Sequence, residues 1–181
     1  MKKFLFKVGL PISICLGVLC TSIPVSATLN DFDPGNIMDD MVATNYGSMN
    51  TQQIQAFLNS KVPQCDTNGS QPARDFGRPN MTRAQYAASR GWHGPPYTCL
   101  RDYRTENGRS AAQLIFDVAQ KYHVNPQLLI VLLQKEQALI TDVWPTRGQF
   151  KSATGYGCPD TTVCDSKYFG LENQLEWAAK H

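Results

Sequence analysis

The stretch Pro126-Gln-Leu-Leu-Ile-Val-Leu-Leu-Gln-Lys-Glu-Gln-Ala-Leu-Ile140 is the most apolar helical segment after the N-terminal leader and carries a single carboxylate, Glu136. The residues one helical turn before and after this carboxylate are Leu132, Leu133, Leu139 and Ile140. A carboxylate in that stripe loses hydration, which favours its protonated form, so Glu136 is a candidate general acid. The alternative is a buried structural acid that pairs with an arginine or caps a helix end.

Cap residues followed by apolar residues at helical spacing predict a mainly α fold. The predicted helices are 51–58 after Ser48 or Asn50, 84–90 after Thr82, 111–122 after residues 107–110, 126–140 after Asn125, and 171–181. The segments 62–80 and 142–170 are rich in Gly, Pro and polar residues, which predicts long loops. No stretch alternates as a strand does. Because no stop signal follows the last helix, we expect the natural protein to continue beyond His181.

The N-terminus has the pattern of a secretory signal peptide. Lysines at positions 2, 3 and 7 precede an apolar run over 8–25, and Val25-Ser26-Ala27 is a small-residue cleavage site. The run contains two prolines, so we expect no stable membrane insertion after cleavage. Removing residues 1–27 takes away three lysines and no acids, which leaves 14 basic and 15 acidic side chains. A chain so close to neutrality does not favour nucleic acid as a partner.

Four of the six cysteines remain after cleavage, namely Cys65, Cys99, Cys158 and Cys164. An even number in an exported protein favours disulfides over metal ligation. Of the three possible connectivities we expect Cys65–Cys99, which ties down a Gly- and Pro-rich stretch, and Cys158–Cys164, which closes a short loop. No CxxC motif occurs and the histidines are not spaced as ligands, so we expect neither a metal nor a cofactor.

The run from Val124 to Glu136 resembles the catalytic helix of the lysozyme-like superfamily, which includes lytic transglycosylases and glucosaminidases. In that superfamily a Val-x-Pro-x-Leu-Leu helix start leads to an active-site Glu, which falls here on Glu136. Ala153-Thr-Gly-Tyr-Gly157 resembles the Gly-rich segment that lines the sugar cleft, and Tyr168-Phe-Gly-Leu-Glu-Asn-Gln174 resembles the start of a later helix. The resemblance implies a lysozyme-like helical domain over 109–181, truncated at its C-terminus, after a small N-terminal helical module over 28–108.

A second resemblance spans most of residues 30–178. The segments that carry it are Met49-Asn-Thr-Gln-Gln-Ile-Gln-Ala-Phe-Leu-Asn-Ser60, Tyr97-Thr-Cys-Leu100, Gln134-Lys-Glu-Gln137 and Gly155-Tyr-Gly-Cys-Pro-Asp160. Together they are similar to a family of secreted bacterial proteins that are described as hemagglutinin-like or cell-wall-associated. This resemblance implies an extracellular location, at the cell surface or in the cell wall of a bacterium.

Glycosidase chemistry requires an acid for the glycosidic oxygen, stabilisation of an oxocarbenium-like centre, and flat surfaces that hold sugars. Glu136 is the candidate acid, and the candidates for a second carboxylate are Asp142, Asp160 and Asp165. We expect substrate contacts from Trp144, Gly155, Tyr156, Asp160 and Tyr168, with Trp92 at an outer subsite, although simple packing also explains each aromatic residue. Gln134 and Gln137 are expected to point away from the acid, and Lys135 to be solvated.

The sequence therefore predicts a secreted protein that cleaves peptidoglycan or a related surface glycan. By the lysozyme-like resemblance, lytic transglycosylases use a single Glu and let the 6-hydroxyl of the sugar attack, which favours transglycosylase cleavage over hydrolysis here. The alternative, from another class, is a catalytically silent surface module that binds glycan for adhesion. The sequence leaves the oligomeric state open.

Overall fold

Helices dominate the fold, which confirms the predicted mainly α class. The computed structural model describes Asp33, Gly35 and residues 37–181, so the predicted signal peptide, residues 1–27, lies outside the described residues. The helices are α1 Asp40–Ala43, α2 Thr51–Lys61, α3 Arg83–Ser89, α4 Ala111–Tyr122, α5 Pro126–Gln137, α6 Arg147–Lys151 and α7 Leu171–Lys180. Two short antiparallel strands, β1 Pro72–Ala73 and β2 Arg78–Thr82, pair in one small sheet.

Helix α4 lies at the centre of the core and packs against α2, α5 and α7. Its buried residues are Ala111, Ala112, Leu114, Ile115, Val118 and Ala119, and the small alanines allow close approach of its neighbours. Ile54 and Leu58 of α2, Leu133 of α5 and Leu175 of α7 complete this core. Residues from both predicted modules, 28–108 and 109–181, therefore contribute to one hydrophobic core.

The helix starts follow from local chemistry that the sequence makes visible. The side chains of Asn50, Thr82 and Ser110 each accept a hydrogen bond from the third backbone N–H of the helix that follows. Asn125 caps α5 by accepting from the N–H of Gln127 at 2.9 Å. These caps confirm four of the predicted helix starts.

Two elements in the predicted loops were missed. The β1–β2 hairpin begins within 62–80 and ends at Thr82; Pro72 and Asn80 are poor strand formers, and the chain turns at Gly77 with φ 67°. The register of the first strand is irregular, and the sequence shows no alternation of polar and apolar residues that would predict a strand there. Helix α6 lies within 142–170 and is only five residues long, too short for an apolar period to appear.

Both predicted disulfides are present and hold the loops in place. Cys65–Cys99 joins residues 34 positions apart, and Cys158–Cys164 closes a loop of six. Next to Cys65, Asp66 N–H donates to the carbonyl of Val143 at 2.6 Å. Ala87, Tyr97 and Trp144 form a second, smaller hydrophobic cluster. None of the helices in the described residues is both long enough and apolar enough to cross a membrane.

Candidate functional site

Glu136 lies on the last turn of α5, beside the apolar stripe and not within it. The helix ends at Gln137, because Ala138 adopts the left-handed conformation with φ 55°. This turn sends Leu139 into the core, where it is fully buried, and leaves Glu136 with 30% of its side chain exposed. The prediction of a carboxylate enclosed by apolar residues on one continuous helix is therefore wrong.

The two oxygens of Glu136 have different surroundings. Oε1 accepts a hydrogen bond from Nζ of Lys135 at 3.1 Å, and the lysine side chain is itself 75% exposed, as predicted. Oε2 faces the backbone of Gly155, where an added Cβ would lie only 2.9 Å away. Gly155 also has φ 71°, a conformation that costs other residues about 1–2 kcal/mol. The φ angle favours glycine at this position, and the missing Cβ lets the 153–157 segment lie directly against the carboxylate.

Gln174 of α7 holds this glycine-containing segment in place. The side chain is fully buried, and its Oε1 accepts from both the N–H and the hydroxyl of Thr154 at 3.0 Å. Its Nε2 donates to the carbonyl oxygens of Tyr156 and Tyr168 at 2.9 and 2.8 Å. Because every polar atom of the buried amide is satisfied, Gln174 fixes the backbone that faces Glu136.

Glu136 faces a cavity of about 630 Å³, which we call the Glu136 cleft. Its walls are three aromatic residues, the last turn of α5 and the start of α6. The lining side chains include Phe76, Trp92, Gln134, Gln137, Asp142, Trp144 and Gln149. Gln134 and Gln137 therefore share the cleft with the acid, contrary to the prediction, because the helix end exposes more than one side of its last turn.

The aromatic residues of the cleft differ in exposure. Trp144 is 95% buried, with its ring against Tyr97 at 5.5 Å and the guanidinium of Arg83 at 5.7 Å, so it presents little surface to a ligand. Phe76 and Trp92 are exposed, and their rings meet edge to face with centroids 6.3 Å apart. Sequence reasoning missed Phe76, whose only signal is an aromatic residue in a polar turn before Gly77.

A hydrogen-bond network centred on Gln149 fixes the floor of the cleft. Its Nε2 donates to the carboxylate of Asp142 at 2.7 Å and to the carbonyl of Gln137 at 2.9 Å. Its Oε1 accepts from the N–H of Thr146 at 2.7 Å. The other oxygen of Asp142 accepts from the N–H of Trp144 at 2.9 Å. Both oxygens of Asp142 are thus engaged in positioning the loop between α5 and α6.

The remaining predicted contact residues lie elsewhere. Tyr156 and Tyr168 pack edge to face at 4.9 Å and form an aromatic group with Trp177 and His181. Asp160 is exposed in the loop that Cys158–Cys164 closes. Of the predicted site residues, the structure therefore places Gly155, Trp92 and Trp144 near Glu136. Asp142 is the one candidate for a second carboxylate that lines the cleft. Substrate contacts by Tyr156, Asp160 and Tyr168 stay predictions.

A buried ion pair supports the cleft from behind. Asp66 accepts from the backbone N–H groups of Ser70 and Gln71 and from Nη1 of Arg83 at 3.3 Å. Burial by itself would raise the pKa of Asp66, but these hydrogen bonds together outweigh it and hold the pKa below its ordinary value. Burial and the charge of Asp66 raise the pKa of the Tyr97 phenol. Arg83 and Tyr97 both contact the ring of Trp144, which forms one wall of the cleft.

Nothing in the described part of the chain assembles as a metal centre: no three His, Cys, Asp or Glu side chains come close enough together. The chemistry that this arrangement offers is that of one accessible carboxylate beside exposed aromatic rings.

Comparison with known proteins identifies a family. The sequence profile described as LasA, N-terminal domain, matches residues 36–181, which is most of the chain. No curated protein and no solved structure matches the chain. The match covers Glu136, the residues of the cleft and both disulfides.

Proposed function

Because the chain belongs to the LasA N-terminal domain family, a family of secreted bacterial proteins, we propose that it acts outside the cell, on the glycan of a bacterial cell wall. The proposed reaction is cleavage of a glycosidic bond, with Glu136 as general acid and then general base. This is the activity that the resemblance of residues 124–136 to the lysozyme-like catalytic helix implies.

One observation carries the proposal: an accessible carboxylate lies on the last turn of α5, inside a cleft with exposed aromatic rings. Half-burial lets Glu136 reach a ligand, while Gly155 and the Gln174 network restrict where its Oε2 atom lies. Phe76 and Trp92 supply the flat apolar surfaces on which sugar rings stack. The cavity of about 630 Å³ is large enough for a few sugar rings.

The reaction begins with proton transfer. Glu136 in its acid form donates a proton to the glycosidic oxygen as the bond from that oxygen to C1 breaks, which leaves an oxocarbenium-like centre at C1. The resulting carboxylate then accepts the proton of the sugar's own 6-hydroxyl as that oxygen bonds to C1. The products are a shortened chain and a 1,6-anhydro sugar, and no water is consumed.

Asp142 is the nearest alternative to this single-acid route. A second carboxylate in the cleft would serve as nucleophile or as base for a water molecule in a hydrolase. Both of its oxygens accept hydrogen bonds, from Trp144 and Gln149, which favours a positioning function for Asp142. The single-acid route is therefore preferred to hydrolysis.

Mass spectrometry of fragments released from purified peptidoglycan tests the proposal. The chain should release fragments that end in anhydro-muramic acid, and Glu136→Gln should release none because the amide cannot transfer the proton. Glu106→Gln is the matched control, since Glu106 is exposed and lines none of the cavities described here.

The outcomes separate the alternatives. Reducing ends in place of anhydro ends would replace the transglycosylase route by hydrolysis. No release by any of the three proteins, with glycan binding intact in all of them, would reject cleavage in favour of a silent adhesion module. Equal release by Glu136→Gln and the parent chain would remove Glu136 from the mechanism.

A further inference from the structure

A second cavity lies on the other side of α6 from the Glu136 cleft. It encloses about 380 Å³, and we call it the basic cavity because Arg104, Arg147 and Lys151 lie on its rim with His93 beside them. Its lining contains no Asp or Glu. All three cations are exposed, and none of them takes part in the ion pairs found within the described residues.

The interior of the basic cavity is apolar, in contrast to its rim. Tyr103 and Phe150 stack with their ring centroids 5.1 Å apart, and Leu171 lies beside them. A site with separate cations around an aromatic floor suits an organic anion whose charged group stays at the rim while its body covers the rings. Arginine in particular recognises the planar carboxylate group through two parallel hydrogen bonds.

A small cavity of about 280 Å³ joins the two sites along α6. It shares Trp92, Thr146 and Gly148 with the Glu136 cleft, and His93, Arg147 and Lys151 with the basic cavity. The three cavities thus lie side by side along the short helix, and we call them together the α6 groove. A substituent that crosses α6 would join a ligand in the cleft to the cations.

We propose that the basic cavity binds a carboxylate on a peptide substituent of the glycan that occupies the Glu136 cleft. The position of the glycan rests on the proposed function, whereas recognition of the carboxylate rests on the cations and the α6 groove alone. The proposed ligand is therefore an acidic glycopeptide and not a neutral polysaccharide. The free carboxylates of peptidoglycan stem peptides have this chemistry.

Calorimetric titration with two small probes tests the proposal without any bond cleavage. The probes are muramyl dipeptide, which carries one free carboxylate, and its analogue in which that carboxylate is a carboxamide. The chain should bind the carboxylate probe at least roughly tenfold more tightly, and added salt should reduce the difference. The double variant Arg147→Gln/Lys151→Gln should lose this preference while it binds the amide probe as before.

The control variant is Lys61→Gln/Arg90→Gln, which removes the same charge from two exposed residues that line none of these three cavities. It should keep the preference, which separates local recognition from a general effect of net charge. Equal binding of the two probes, no binding of either, or an unchanged preference in Arg147→Gln/Lys151→Gln would overturn the proposal. A retained preference in a chain that releases no peptidoglycan fragments would reject cleavage alone and support the basic cavity.

Discussion

Asp66 and Glu136 are both carboxylates, but their environments are opposite. Asp66 is buried and accepts hydrogen bonds from two backbone N–H groups, a hydroxyl and the guanidinium of Arg83. Glu136 has one hydrogen-bond donor, the exposed Lys135, and keeps nearly a third of its side chain in solvent. A structural acid paired with an arginine does exist in this protein, and it is Asp66.

The difference shows how an acid is kept available for a ligand. At Asp66 the protein supplies every hydrogen bond, so no acceptor capacity faces solvent. At Glu136 the neighbouring backbone of Gly155 restricts where the carboxylate lies, and the carboxylate stays accessible to solvent. We therefore expect substitution of Asp66 to affect stability and substitution of Glu136 to affect activity.

The largest expected effect is that of Asp66→Asn on stability. Removing the charge leaves the buried guanidinium of Arg83 with only the exposed Asp75 as a carboxylate partner and weakens a network of four donors, which costs about 3 kcal/mol. Glu136→Gln should change the free energy of unfolding by no more than about 0.5 kcal/mol, because its partner is exposed. Urea denaturation of the two variants measures both values. Equal shifts of the urea midpoint in the two variants would contradict the assignment of Asp66 to stability and Glu136 to activity.

A pH series sharpens the same comparison. Because the pKa of Asp66 is lowered in the folded protein, its ionised form contributes stability that is present above about pH 4, its unfolded pKa. That contribution is lost as the pH falls through the lowered folded value. The difference in unfolding free energy between the parent chain and Asp66→Asn should therefore shrink as the pH is lowered from about 5 through the acid range. A constant difference over that range would rule out this account.

Gly155→Ala separates the position of the Glu136 carboxylate from its chemistry. The new Cβ would displace Oε2, and a misplaced acid should lower the rate of glycan cleavage by about 10- to 100-fold. Strain at φ 71° should cost about 1 kcal/mol of stability. Gly77→Ala is the matched control, since Gly77 has φ 67° but nothing within 4 Å of an added Cβ. Both variants should lose similar stability, and equal cleavage rates would disprove positioning by Gly155.

The smallest effect is expected at the turn that ends α5. Ala138 has φ 55°, a conformation in which glycine is not strained, so Ala138→Gly should stabilise the chain by up to about 1 kcal/mol. Thermal unfolding measures the gain. Loss of stability in this variant would show that the alanine methyl group packs favourably enough to offset its strain.

Local signals account for what the sequence predicted well. Asn50, Thr82, Ser110 and Asn125 cap the helices that follow them, because their side chains satisfy backbone donors within three residues. The four cysteines were paired correctly since loop composition and sequence separation favoured one connectivity. Glu136 itself was singled out by its position in an apolar run.

Contacts between distant segments account for what was missed. Leu139 and Ile140 continue the apolar pattern of α5, but burying them in the core requires the left-handed turn at Ala138. That turn decides the exposure of Glu136, and no local pattern announces it. Phe76 and Gln149 reach the cleft from the β1–β2 hairpin and from α6, neither of which has a periodic signature.

The sequence by itself determined the helical class, four of the helix starts and the disulfide pairs, because each depends on residues whose chemistry acts locally or in a small set of combinations. Only the tertiary structure decided that Asp66 is enclosed while Glu136 is open, and that α6 separates an acidic cleft from a basic cavity. Those outcomes depend on how the core positions α5, α6 and the hairpin around it. Burial and hydrogen bonding between segments far apart in the chain set that arrangement.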